Sequence, residues 1–205
     1  MTKPDHVDAL LFDLGGDVMD IDFERVVARW AAHADCDVAL LRARFAHDEA
    51  YKRHEVGELG TEGYFDSLRA SLGVNLSDAQ LLDGWNAIFA GELPGISELL
   101  ARAAKHLPLY AFSNTNAAHE AYWSVHFAEA LRPFKTIFVS STIRLRKPDA
   151  AAFRFVVDAI GLPGERILFF DDGLPNIEGA RACGLQTVHV TSVGDVANAL
   201  AALGL

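Results

Sequence analysis

Short apolar runs, each broken off by polar or small residues, punctuate this sequence. Ala9-Leu10-Leu11-Phe12 stops at Asp13-Leu14-Gly15-Gly16, and residues 107–112 stop at Ser113-Asn114. Residues 136–139 stop at Ser140-Ser141, and residues 167–170 at Asp171-Asp172. Residues 187–190 make a further run. Continuous apolar runs of this length suit strands buried on both faces of a parallel sheet. Between them apolar positions recur at helical spacing. Ile96, Leu99, Leu100 and Ala103 form one set, and Phe153, Val156, Val157 and Ile160 another, behind an N-cap at Asp149. Residues 176–183, followed by Gly184, read as a helix with a glycine stop. Strand alternating with helix predicts an α/β fold, a doubly wound parallel sheet with right-handed crossovers.

Residues 21–91 break that alternation and show no strand pattern. Phe23, Val26, Val27, Trp30 and Ala31 make one helical stripe, and Tyr64, Phe65 and Leu68 a second. Leu81, Leu82, Trp85, Ile88 and Phe89 make a third, opened by the capping box Ser77-x-x-Gln80. Stripes of this kind are packing faces. The pattern predicts an all-helical insertion over residues 21–91, within a core built from residues 1–20 and 92–205. The chain has no internal repeat and no low-complexity segment.

At 205 residues the chain is long enough to bury a core without staples. With 51% hydrophobic and 22% charged residues, the composition is that of an ordinary globular protein and argues against wholesale disorder. Lysine and arginine number 18 against 28 acids, so the formal charge is −10. That balance argues against nucleic acid or an anionic membrane as partner, since both select basic surfaces. It also requires that any anionic substrate meet a local offset. Two cysteines outside any CxxC pair, Cys36 and Cys183, argue against a disulfide framework or thiolate zinc site, and are expected to be buried, inert thiols. The opening Met1-Thr2-Lys3-Pro4-Asp5-His6 lacks the basic-then-apolar order of a signal peptide. No apolar run approaches the ~20 residues of a membrane span. The expectation is a soluble, cytoplasmic protein, monomeric or homodimeric.

Three strand ends carry the candidate chemistry: Asp13, Ser113 with Asn114, and Asp171 with Asp172. Open parallel sheets bind ligands beyond the carboxyl ends of their strands. One aspartate there is commonly a turn former or cap; three strand ends delivering acids and a hydroxyl to one edge read as a site. Carboxylates that close must share protons or bind a cation, and an all-oxygen set favours a hard ion such as Mg²⁺. The eight histidines show no HxH or HExxH spacing that would offer a rival metal site. Lys147 lies in Arg144-Leu145-Arg146-Lys147-Pro148-Asp149, the most basic cluster in the chain. Pro148 biases Lys147 away from helix and Asp149 starts one, so the lysine can reach the same edge. A solvated basic turn is the competing account.

Taken in order, Phe12-Asp13-Leu14-Gly15-Gly16, Ser113-Asn114, Lys147-Pro148 and Phe170-Asp171-Asp172-Gly173-Leu174-Pro175-Asn176 resemble the four motifs of the haloacid dehalogenase superfamily. The helical insertion resembles that family's type 1 cap. The segments running from Asp13 to Asp22, from His54 to Glu58 and from Ser113 to His119 resemble in particular the bacterial α-D-glucose-1-phosphate phosphatase-like branch. The resemblance implies a Mg²⁺-dependent hydrolase of small phosphomonoesters, sugar phosphates above all. Asp13 would attack phosphorus and form an aspartyl-phosphate. Mg²⁺ would be held by the Asp13 side chain, the Gly15 carbonyl and Asp171. Ser113 and the Asn114 backbone would bind the phosphoryl group, and Lys147 would neutralise charge in the transition state. Asp172 would support the metal's water shell or orient Lys147, and Asn176 would orient the acids or the lysine.

Two positions depart from the wider phosphatase pattern. Gly15 stands where most relatives carry an acid/base aspartate. An anomeric phosphate leaves as a weakly basic hemiacetal oxygen, which lessens the need for that acid; the base for the second step is not identified. Asp17 stands where an apolar residue or threonine is usual. It either replaces the missing acid, or adds repulsion against phosphate, or points away and caps the following turn, the reading favoured here. Tyr51, Lys52, His54 and Glu55 face substrate or form a solvated helix end, and His119 contacts the site or packs. Rival functions are a 2-haloacid dehalogenase, against which Asp171-Asp172 argues, and a non-catalytic phospholigand-binding protein, which Gly15 and Asp17 motivate.

Overall fold

Five parallel strands in the order β5-β4-β1-β6-β7 form the central sheet of the computed structural model, which describes residues 6–205. In chain order the elements are β1 (Ala9–Phe12), β2 (Met19–Ile21), α1 (Phe23–Ala34), α2 (Val38–Arg44), α3 (Glu49–Glu55), α4 (Thr61–Leu72), α5 (Asp78–Asn86), β3 (Phe89–Glu92), α6 (Ile96–Ala103), β4 (Leu109–Ser113), α7 (Ala117–His126), α8 (Ala128–Leu131), β5 (Phe134–Val139), α9 (Ser140–Ile143), α10 (Ala150–Ile160), β6 (Ile167–Asp171), α11 (Leu174–Ala182), β7 (Gln186–His189) and α12 (Val193–Leu203). Of the stretch read for a targeting signal, Met1 to His6, residues 1–5 lie outside the described residues. No helix among the described residues is long and apolar enough to cross a membrane.

The central strands are apolar on both faces because both are covered. In β1, Leu10 and Phe12 join one hydrophobic cluster and Ala9 and Leu11 the other. In β6, Leu168 and Phe170 join the first, and Ile167 and Phe169 the second. Phe12 and Phe170 stack across the strand pair with ring centroids 4.3 Å apart. Full burial of each such side chain contributes about 1.5–3 kcal/mol, and it sets which way the next residue points. The pleat that buries Phe12 and Phe170 leaves Asp13 and Asp171 at the open edge.

Helices α1 to α5 form a separate layer around Trp30, Tyr64, Phe65, Leu81 and Trp85. Asp22 caps α1, and the Ser77–Gln80 capping box opens α5. Several sequence expectations are corrected here. A two-stranded antiparallel ribbon, β2 with β3, sits at the ends of the stretch expected to hold no strand. Its strands are only three and four residues long and lie far apart in sequence, so neither carries a readable alternation. Helix α5 stops at Asn86, so Ile88 and Phe89 lie beyond it, and Leu82 is exposed. Asp149 sits at the N-cap of α10 but makes no side-chain capping bond. Helix α11 begins at Leu174 rather than Asn176. Cys36 and Cys183 are free but only half-buried.

The helical layer meets the sheet domain closely at Gly57. Its φ is +68°, in the left-handed region, and a Cβ there would collide with the Ser141 carbonyl oxygen. Gly57→Ala combines backbone strain with a backbone clash. The expected outcome is a loss of about 1–3 kcal/mol, seen by calorimetry as a Tm lower by roughly 2–10 °C. An unchanged Tm would mean that this contact carries no weight.

Candidate active site

Strands β4, β1 and β6 are neighbours and run parallel, so their carboxyl ends lie side by side. That register brings Asp13, Ser113, Asp171 and Asp172 to one edge, as the strand-end pattern predicts. The Asp13 N–H donates to the Phe170 carbonyl at 2.9 Å, tying the two acidic strand ends together.

Lys147 reaches the same edge and is buried there. Its Nζ stands 2.7 Å from Asp171 Oδ2 and 2.9 Å from Asp13 Oδ1. The rings of Phe112 and Phe169 lie under the ammonium, each centroid 5.4 Å away. Burial alone would lower the lysine's pKa, but Asp13 and Asp171 outweigh it and hold the group above its ordinary value. The lysine therefore stays charged. The Asn114 side chain fixes the lysine's backbone from both sides: its Nδ2 donates to the Lys147 carbonyl and its Oδ1 accepts from the Lys147 N–H, each at 2.9 Å. The sequence reading considered only the Asn114 backbone, so this clamp is a role it missed.

Asp171 is fixed in turn. Its Oδ1 accepts from the Gly173 N–H at 2.8 Å and from Asn176 Nδ2 at 2.9 Å. Lysine orientation thus falls to Asp171 and Asp13 rather than to Asp172. Asp172 is exposed, and its carboxyl is raised by partial burial and by Asp171. Gly16, with φ +88°, lets the loop pass close against the Asp172 carboxylate. One oxygen each from Asp13, Asp171 and Asp172 lie within 4.8 Å of one another, a spacing that can hold a cation. Asp13 is pushed up to about 7, by burial first and by Asp171, against the pull of Lys147. Three carboxylates against one lysine leave a deficit of positive charge, which is the physical reason a hard cation fits here.

Asp17 is not the outward-facing turn cap favoured from sequence. It is fully buried, and both its carboxyl oxygens lack hydrogen-bond partners. Burial, then Asp13, Asp171 and Asp172, hold its pKa well above the ordinary range. Of the two accounts open for Tyr51, Lys52, His54 and Glu55, the solvated helix end does not hold: His54 and Glu55 are buried, and only Lys52 of the group is exposed. His54 stacks on Tyr64 at 4.5 Å.

A cavity of about 100 Å³ brings Asp13, Gly15, Ser113 and Asn114 together with Tyr51 and Glu55 of α3. His119 also lines it, buried and stacked on Trp85 at 4.5 Å. Its Nε2–H donates to the Trp85 carbonyl at 3.1 Å and its Nδ1 accepts from Asn116. Burial lowers its pKa to about 3, so the ring is neutral. Glu55 pairs with Arg146, Nη2 to Oε2 being 2.7 Å, and its carbonyl lies 2.6 Å from Ser140 Oγ. Sequence spacing offered no signal for Trp123 at this cavity, nor for the hold that Arg146 and Ser140 have on Glu55.

A carboxyl whose pKa is raised in the folded state contributes stability below its unfolded pKa, near 3.9, and loses it as pH rises toward the folded value. Asp17→Asn removes that loss while keeping the shape. The expected outcome is a Tm higher than wild type at pH 8 by roughly 2–10 °C, from about 1–3 kcal/mol. The gain should shrink at pH 5, with scans run in EDTA. Equal Tm values at both pH values would contradict the buried-carboxyl account.

Residues 7–184 match the family of haloacid dehalogenase-like hydrolases. D-ribitol-5-phosphate phosphatase from Bacteroides thetaiotaomicron is 24% identical over 193 residues, covering 91% of this chain and 93% of that protein. A 55-residue stretch, 27% of this chain, is 44% identical to drimenol cyclase drtB from Aspergillus calidoustus, but spans only 10% of that protein. Among solved structures, a HAD family enzyme from Bacteroides thetaiotaomicron, in complex with magnesium and inorganic phosphate, superposes with TM-score 0.79 at 22% identity, covering 91% of this chain and 95% of that one. L-2-haloacid dehalogenase from Xanthobacter autotrophicus superposes with TM-score 0.68 at 17% identity, covering 90% and 77%. The match over nearly the whole α/β core, together with the acids and lysine at its carboxyl edge, places this chain in the haloacid dehalogenase-like hydrolase family.

Proposed function

We propose that this hydrolase is a Mg²⁺-dependent phosphatase of small phosphomonoesters, with sugar phosphates such as glucose 1-phosphate as its substrates. The observation that carries the reading is the buried Lys147 shared between Asp13 and Asp171, with Asp172 close enough to complete a cation site. The relative named as a ribitol-phosphate phosphatase and the neighbour holding magnesium and phosphate point the same way.

The residues support a two-step reaction. Asp13 Oδ1 is taken up by the Leu14 N–H at 2.7 Å and by Lys147. Oδ2 is then the attacking atom. It forms a bond to phosphorus as the ester P–O bond breaks, and the electron pair leaves on the substrate's alcohol oxygen. Ser113 Oγ–H donates to the phosphoryl group, and Lys147 offsets the charge gathered there. Asp13 and Asp171, with the Gly15 carbonyl and with Asp172 beside them, would hold Mg²⁺, which would supply positive charge to offset carboxylate–phosphate repulsion. Water then attacks phosphorus and the bond from phosphorus to Asp13 Oδ2 breaks, its electron pair returning Asp13 to a carboxylate; phosphate leaves, and the proton lost by the water passes to the phosphate or to solvent. Gly15 carries no proton, so a leaving group of low basicity, such as an anomeric oxygen, is the best served. Helices α1 to α5 act as the cap that closes the leaving-group side.

The expected outcome is phosphate release from sugar phosphates in Mg²⁺, abolished by EDTA and restored by added Mg²⁺. Asp13→Asn should lower kcat by roughly 10³-fold or more, as loss of a nucleophile does. Chloride release from 2-chloropropionate without metal would favour the dehalogenase chemistry instead. Failure to release phosphate from a broad panel of esters would favour a binding protein.

A further inference from the structure

The cavity beside Asp13 carries a pattern of charge that phosphoryl transfer does not use. Away from Asp13, its charged lining residue is Glu55, and among the described residues no lysine or arginine lines it. Lys147 is engaged by Asp13 and Asp171, and His119 is neutral. An ester with a second phosphate or a carboxylate on its leaving group would bring that anion against Glu55, whose one close cation, Arg146, is already engaged by it.

Glu55 is only 4% exposed. Arg146, 2.7 Å away, and the Tyr51 hydroxyl hold its carboxylate, and a carboxylate keeps lone pairs to spare for a further donor. Trp123, also 4% exposed, lines the same cavity, and its Nε1–H has no partner. The cavity thus holds an acceptor with spare lone pairs and, among the described residues, an unpartnered donor. The rest of the lining includes Phe23, Ile88 and Phe89. A hydroxyl group both donates and accepts, so it can satisfy either atom. A sugar ring also has an apolar C–H face to lie on the aromatic wall. A hydrocarbon leaving group would fill the wall but leave the indole N–H unpaired and offer the carboxylate no further donor, which is costly.

We propose that Glu55, held by Arg146 and Tyr51, is the specificity-determining acceptor for hydroxyls of an uncharged, polyhydroxylated leaving group, and that its carboxylate excludes esters bearing a second anionic group. The inference rests on the phosphatase reading and narrows it. It makes neutral sugar monophosphates the substrates, and it separates them from sugar bisphosphates and from prenyl phosphates by two different physical costs.

The test compares kcat and KM for a hexose monophosphate, a hexose bisphosphate, a prenyl phosphate and p-nitrophenyl phosphate, in Mg²⁺, with wild type and Glu55→Gln. Wild type should favour the hexose monophosphate over the bisphosphate and the prenyl ester by roughly tenfold or more in kcat/KM, the worth of one hydrogen bond to a charged group. Glu55→Gln should shrink the monophosphate-to-bisphosphate ratio by a similar factor, with the change mainly in KM. Wild type that accepts bisphosphate or prenyl phosphate equally well overturns the inference, and needs no variant to do so. A Glu55→Gln enzyme that loses the same factor on all four esters assigns Glu55 a purely structural role and also overturns it. Turnover of p-nitrophenyl phosphate without discrimination among the others keeps the phosphatase reading and rejects the filter. No turnover of any ester rejects both.

Discussion

A single buried ammonium organises this site. Asp13 and Asp171 end strands whose side chains are otherwise packed in hydrocarbon, and taking carboxylates out of water costs several kcal/mol each. Lys147 is buried too and adds its own desolvation cost. One ion pair near 2.8 Å is worth about 6 kcal/mol at an effective dielectric near 20, which does not cover three buried charges. Two pairs sharing one lysine come closer, and the neutral donors around Asp171 supply more. The geometry follows from that need. Asn114 grips the lysine's backbone, Asn176 and Gly173 grip Asp171, and the aromatic rings of Phe112 and Phe169 face the ammonium. Release of any one of these would let water or rotation divide the pairs.

The lysine still does not balance the edge. Asp13, Asp172 and Asp17 are all raised, which is the mark of a cluster short of positive charge. The chain's net charge of −10 therefore has a local meaning. Part of it is concentrated where a divalent ion and a phosphate together would relieve the strain. An acidic protein can bind an anionic ester because the field at this edge, once a cation is held, differs from the field of the whole surface.

Strand ends were legible because they are local facts. A continuous apolar run followed by Asp13, Ser113 or Asp171 names both the strand and the residue at its open end, and parallel topology does the rest. The acidic doublet was legible in the same way, whereas the basic cluster around Lys147 fitted a solvated turn equally well until its burial at the edge decided between them. The ribbon β2–β3 was not legible, since each short strand is stabilised by a partner some seventy residues away. Nor was Glu55: a glutamate at the end of a seven-residue helix reads as solvated. What buries it is Ser140, 85 residues further along, and Arg146 beyond that. Asp17 misled for a related reason. Aspartate after a glycine pair is good turn chemistry, and only the packing of the loop against the sheet edge shows that its oxygens have nowhere to go. Local rules fail most at the residues that face the cavity, because tertiary contacts define them.

The same loop serves both halves of the cavity. Arg146, which holds Glu55, immediately precedes Lys147, which holds Asp13 and Asp171. Ser140 Oγ accepts from the Thr115 N–H at 2.8 Å while lying against the Glu55 carbonyl, so the segment after Ser113 is tied to the helical layer as well. The positive charge demanded at one end and the fixed carboxylate at the other are therefore held in mutual register by adjacent residues. A substrate with a dianionic phosphate and a neutral hydroxylated body then has one favourable orientation, phosphate toward the cation site and hydroxyls toward Glu55. A substrate charged at both ends has none, because either orientation presents an anion to a buried carboxylate. Electrostatics alone would orient the substrate before any shape complementarity is invoked.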